Sequence, residues 1–205
     1  MRALQDFNPG SCVKFVTKEA SVPNCVELDY VFWTFGPSVG GFKYCRPVIS
    51  IDGTHLYGKY EGKLLIATAV DGNNQIFSLA FAVVDKECTI SWRWFLACIR
   101  EYVTQRQGIC LISDRHSSFK SAMRDNHRWN PPHAYHVYCL RHIISNFNKK
   151  FNDTKLKKMA TRAGMQRQVR KFDRDMRRIE ELNPEAADWL KKISIQKWTA
   201  AGGMV

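Results

Sequence analysis

From Arg46 onward the apolar positions fall into short blocks separated by turn residues. "PVISID" (47–52) is continuous and rich in β-branched residues, which predicts a strand buried on both faces. "KLLIATAVD" (63–71) and "QIFSLAFAVVD" (75–85) predict two more strands, joined by "DGNN" (71–74), whose residues tolerate positive φ. Such short connections make an antiparallel meander. The period then changes. In "TISWRWFLACIREYV" (89–103), Trp92, Phe95, Leu96, Ile99 and Val103 recur at helical spacing, with Thr89 or Ser91 as cap. "GICLISD" (108–114) predicts a buried strand, "SSFKSAMRDN" (117–126) a short helix, "AYHVYC" (134–139) a fifth strand and "LRHIISNFNKKF" (140–151) another helix.

The remainder reads as helical. Met165, Val169, Phe172, Met176 and Ile179 form one apolar stripe, read as core. Asn183 and Pro184 end that helix and start the next as N-cap and first helical residue, with Trp189, Leu190 and Ile193 on its apolar face. Residues 1–46 are weakly periodic, and "CVELDYVFWTF" (25–35) suits either a strand or a helix. The expected plan is an N-terminal appendage (1–46), an α/β core (47–151) and a basic helical segment (152–205).

The order β-β-β-α-β-α-β-α restricts topology. A helical crossover after the meander returns the fourth strand beside the first and parallel to it. Numbering the five strands as they occur, the expected sheet order is 3-2-1-4-5. Asp52 then closes strand 1 and Asp114 closes strand 4, at a switch point where ligands favour the carboxyl ends of strands. Either aspartate alone reads most simply as a turn cap. As neighbours they repel, and they need a cation. Hard oxygen donors suit Mg²⁺ or Mn²⁺, and a pair of such ions can drive phosphodiester cleavage. The expected fold class is therefore α/β, a ribonuclease H-like mixed sheet followed by a C-terminal all-helical segment.

Composition narrows the partners. The formal net charge of +12 over 205 residues favours a polyanion. Arg141–Lys192 carries 15 Lys+Arg against 7 Asp+Glu, about half of the basic residues in the chain. Lys149, Lys150, Lys155, Lys157, Lys158, Arg162, Arg170 and Lys171 are the candidate contacts to a DNA backbone; a solvated helical face is the bland alternative. The seven cysteines are odd in number and contain no C-x-x-C, so reduced and mostly buried thiols are expected. No run of 18 apolar residues occurs and the first residues lack a signal-peptide core, so a soluble intracellular protein without a membrane span is expected.

The blocks "CRPVISIDGTHLYGKYEGKLLIATAVDGNNQIFSLAFAVVD", "SWRWFLACIREYV", "ICLISDRHSSFKSAM" and "YHVYCLRHIISNFNKKF" closely resemble the transposase domain of plant Mutator-like elements (MULE transposases). The resemblance spans about residues 1–198 and is strongest across 45–151. It implies an RNase H-like fold, cut-and-paste DNA transposition in the nucleus or descent from it, double-stranded DNA as partner and Mg²⁺ or Mn²⁺ as cofactor. Asp52 in "DGT" matches the family's first catalytic acid and metal ligand, and Asp114 in "SDR" its second. Cys139 and His142 match its C-x-x-H motif, whose role is open: helix-start packing, or metal with two ligands more. The family's third acid is a glutamate beyond the helical insertion, in a motif resembling T-T-N-x-x-E. That motif does not occur here, and Glu180, Glu181 and Glu185 are only local substitutes. The chain is therefore expected to be a truncated gene product or a fragment of a longer transposase, inactive alone. The competing reading is a domesticated, non-catalytic DNA-binding or regulatory protein; a structure-specific nuclease is a third. Homo-oligomerisation is left open.

Overall fold

The computed structural model describes residues 2–19, 24–58, 61–124 and 126–202. Asp125, read as part of a short helix, and the last three residues of the chain lie outside them. The described residues form a mixed α/β structure with a seven-stranded sheet and eight α-helices. The strands are β1 (Cys12–Glu19), β2 (Val26–Thr34), β3 (Val48–Leu56), β4 (Gly62–Val70), β5 (Ile76–Val84), β6 (Ile109–Ser113) and β7 (Ala134–Tyr138). Their order across the sheet is β1-β2-β5-β4-β3-β6-β7. The chain divides into two compact units, one of residues 1–111 and 116–134, the other of residues 112–115 and 135–205.

In the first unit, β3, β4 and β5 are the expected meander. They pair with one another antiparallel, with Ile51 opposite Ala67 and Ala67 opposite Ala80. The turn between β4 and β5 is set by Asp71, whose Oδ1 accepts the Asn73 and Gln75 N–H groups at 2.8 Å each, and by Asn74 at φ 64°. Asp71 is thus a turn residue. Alternation in β3 points Ile49 and Ile51 inward and leaves Ser50 and Asp52 half-buried. This strand continues through Leu56, so Asp52 lies within it and not at its end as the sequence suggested. Gly53–Leu56 lack the apolar run that marked the strand, yet the ladder to β4 carries them on.

Residues 1–46, expected as an appendage, contribute two strands to the sheet itself. β2 pairs antiparallel with β5, Tyr30 opposite Val84 and Trp33 opposite Phe81. Thr34 is fully buried and donates its hydroxyl to the Leu79 carbonyl at 2.7 Å. β1 then pairs with β2, and the register shifts between Val16 and Thr17, which face Tyr30 and Leu28. Over this sheet lie α3 (Thr89–Cys98), continued by one wide π turn over Ile99–Val103, and α4 (Ser117–Arg124). Cys88, not Thr89 or Ser91, caps α3; its N–H is held by the Ser91 hydroxyl at 3.0 Å. Trp92, Phe95 and Leu96 enter the core with Phe32, Leu65 and Phe119. Trp94 packs on Tyr30 and Phe32 from the core margin. Short helices α1 (Arg2–Phe7) and α2 (Gly36–Gly41) complete this unit.

The second unit holds α5 (Leu140–Phe151), α6 (Thr154–Met165), α7 (Val169–Leu182) and α8 (Pro184–Lys191). Ile143, Phe147, Ala160, Ile179 and Leu190 are fully buried in its own core. Asp153 caps α6 by accepting the Lys155 and Leu156 N–H groups, and Asn183 caps α8 by accepting that of Ala186 at 3.0 Å. The single stripe expected from Met165 to Ile179 is broken at residues 166–168. Phe172, Met176 and Ile179 are core, but Met165 and Val169 are exposed. Asp175 takes a core position instead. It is fully buried and accepts Arg162 Nε at 3.1 Å, Arg162 Nη2 at 2.9 Å and Gln166 Nε2 at 2.8 Å.

Candidate active site

β3 brings Asp52 to a half-buried position, with its Oδ1 accepting the N–H of Gly53 at 3.0 Å. Gly53 is tightly faced. A Cβ there would stand 3.3 Å from Glu87 Oε2 and 3.4 Å from Leu65 Cδ2. Glu87, in the loop before α3, lies 4.0 Å from the Lys63 ammonium and 3.9 Å from His116 Nδ1. Lys63 in turn contacts His55, its cross-strand partner, at 2.6 Å. Nothing in the sequence pattern singled out Glu87. Asp85, at the end of the apolar run of β5, is exposed and accepts the N–H of Lys86. Within this unit β6 begins beside β3, with the Cys110 N–H donating to the Pro47 carbonyl at 2.8 Å.

Asp114 follows the last residue of β6 and is half-buried in the second unit. Ser113 donates its hydroxyl to the Asp114 carbonyl at 2.8 Å and meets His136 Nε2 at the same distance. Arg115 lays its guanidinium 5.4 Å over the Trp189 ring. Cys139, at the N-cap of α5, donates its backbone N–H to the Ser113 carbonyl at 2.7 Å, so the C-x-x-H segment starts at the strand end that carries Asp114. His142 is half-buried in the first turn of α5. Among the described residues no three His, Cys, Asp or Glu side chains are grouped so as to hold a metal ion. Asp52 and Asp114 each supply a carboxylate, the donor type that Mg²⁺ and Mn²⁺ select.

The eight basic residues named from the sequence are all exposed in the second unit. Two have structural partners: Lys150 pairs with Glu185 at 2.7 Å, and Arg162 is the main counter-ion of Asp175. Burial alone would raise the Asp175 pKa. Hydrogen bonds from Gln166 and Arg162, with the charges of Arg162 and Arg174, outweigh it and hold the carboxyl below its usual range. Arg170 and Lys171 share a cleft of about 380 Å³ with Arg174 and Arg177, two residues the sequence reading passed over. Their spacing from Arg170, i+4 and i+7 on α7, was the available signal.

A seven-stranded mixed sheet with eight helices defines an α/β protein. Residues 48–146 match the family model of the MULE transposase domain, which supports a Mutator-like element transposase domain over that segment. No curated protein matches the chain. A transposase domain implies interaction with DNA. No helix among the described residues is long and apolar enough to cross a membrane.

Proposed function

We propose that this chain is an RNase H-like transposase core in which Asp52 and Asp114 are the catalytic acids and hold Mg²⁺ or Mn²⁺ for phosphodiester cleavage in duplex DNA. The observation that carries the reading is the family match, which encloses both aspartates, one within β3 and one directly after β6. When bound, such ions activate a water or a 3′-hydroxyl and stabilise the departing oxygen. The protein's own part is to hold Asp52 on strand backbone and Asp114 at the residue that follows β6. Asp52 is oriented by the Gly53 N–H, and the close approach of Glu87 and Leu65 to Gly53 resists movement of that backbone. The exposed lysines of α5 and α6 supply backbone contacts that position DNA without reading its sequence.

A second reading, a DNA-binding protein that has kept the fold without the chemistry, is favoured by one observation: the described residues offer no third ligand grouped with other donors. A nicking assay on supercoiled DNA with Mn²⁺ separates the two. The catalytic reading expects nicking that Asp52→Asn and Asp114→Asn each abolish while DNA affinity is retained. DNA binding without nicking, together with Mn²⁺ binding that Asp52→Asn leaves unchanged, supports the second.

A further inference from the structure

The first unit contains a second group of charged side chains that neither reading uses. Arg100 and Gln105 close the end of α3's π turn, Gln107 precedes β6, His127 and Arg128 form a short 3₁₀ turn, and His133 precedes β7. Together they line a cavity of about 380 Å³, within the range of ~300–1,000 Å³ usual for ligand sites. None of these lining residues is acidic.

Arg100 is 2% exposed. Its guanidinium stacks 4.1 Å from the centre of the Trp129 ring and donates to the carbonyls of Arg106 at 2.7 Å and His133 at 3.2 Å. Its Nε is buried without a hydrogen-bond partner. No carboxylate among the described residues pairs with it. Arg128 stands beside it, donating to the Arg100 carbonyl at 3.3 Å and to Gln105 Oε1 at 3.0 Å. Burial, and then the like charge of Arg128, push the Arg100 pKa down to about 10. Arg100 still carries its full charge at neutral pH. Two like charges on one cavity wall, one of them out of water, are unfavourable unless something neutralises them. Carbonyl oxygens and a ring face offset part of that cost. An oxyanion offsets the rest, and a tetrahedral phosphate fits guanidinium donors best.

We infer that this cavity binds a single phosphate group, free or esterified, through Arg100 and Arg128 with the two histidines at its rim. The site lies at the amino end of β6, whereas Asp114 follows the carboxyl end of that strand.

Thermal unfolding of the full chain tests it, with sodium phosphate compared against sodium chloride at equal ionic strength. Phosphate is expected to raise the Tm. Arg128→Gln, and separately His127→Ala on the exposed rim, are expected to weaken the response at least tenfold in half-saturating concentration. Lys192→Gln, an exposed position on the other unit outside the proposed DNA contacts, should leave it unchanged. Circular dichroism in chloride checks that each variant is folded. Calorimetry with a 5′-phosphorylated dinucleotide and its unphosphorylated form then identifies the source. Tighter binding of the phosphorylated dinucleotide than of inorganic phosphate points to a nucleic-acid end, and equal binding to free phosphate. No phosphate response in the wild type, or the same response in Arg128→Gln, overturns the inference.

Discussion

Arg162→Ala turns a charge expected to serve DNA into a test of folding. Its guanidinium makes two hydrogen bonds to the fully buried Asp175, at 2.9 and 3.1 Å. Removing one partner of a buried pair costs about 3–5 kcal/mol, because the other charge stays out of water. Here the cost is smaller. The Arg162 side chain is 49% exposed, Gln166 still donates to Asp175, and Arg174 stands 3.8 Å away. About 2–3 kcal/mol is expected, or ~4–12 °C in Tm for a protein of this size. Replacing the pair together, Arg162→Met with Asp175→Leu, should recover most of the loss, since no stranded charge remains. The pH dependence has a definite sign. The folded pKa of Asp175 is depressed, so its contribution is complete at neutral pH. That contribution declines once pH falls below the unfolded carboxylate value of about 4 and disappears through the folded pKa. The double variant should lack this acid loss. Urea unfolding followed by circular dichroism across pH measures both effects. A cost for Arg162→Ala below about 0.5 kcal/mol, the level of an ordinary surface substitution, would falsify the assignment of Arg162 to the fold.

Three further outcomes follow from the same contacts. Duplex affinity should fall steeply with salt, and charge reversal at Lys149, Lys157 and Lys158 should flatten the log–log slope by about 0.9 per lost phosphate contact; a slope unchanged in the variant would show that these lysines are only solvated. Gly164→Ala should destabilise by about 1–3 kcal/mol in thermal melts, because the new methyl would lie 2.4 Å from Leu140 Cδ1 and 3.2 Å from Trp198. Asn183→Ala should cost ~1 kcal/mol by removing the α8 cap, and Asn183→Ser should restore most of it.

The strands and helices between Val48 and Phe151 were legible because each is a continuous buried run or a clean helical stripe bounded by turn residues. Asp52 and Asp114 stood out for the same reason, as polar residues at the end of apolar blocks. β2 was ambiguous. Tyr30, Val31 and Phe32 are buried in succession, which matches neither a half-exposed strand nor an amphipathic helix, and only pairing with β5 decides. The break between α6 and α7 was hidden because Met165 and Val169 keep helical phase with the true core residues across it. Asp175 was readable in principle. It sits at i+3 from Phe172 on the apolar face, where a carboxylate demands a partner. The seven cysteines are all free thiols, yet only Cys45, Cys98 and Cys110 are buried, so reduced chemistry did not translate into burial. The proximity of Glu87 to Gly53, and the crowding of Arg100 by Arg128, depend on chain reversals that no local pattern encodes.

The pairing of β2 with β5 also separates ancestry from foldability. The family match starts at residue 48 and ends at 146, within α5. A piece cut at those limits discards Phe32, fully buried, and the Thr34–Leu79 hydrogen bond. It also bares the outer rim of β5 as an open row of amides and carbonyls, the template on which strands of other copies assemble. The inherited segment is therefore shorter than the piece able to stand in water. Anyone trimming the protein for crystals or spectroscopy should cut ahead of Cys12, because a start at residue 48 yields an adhesive sheet edge.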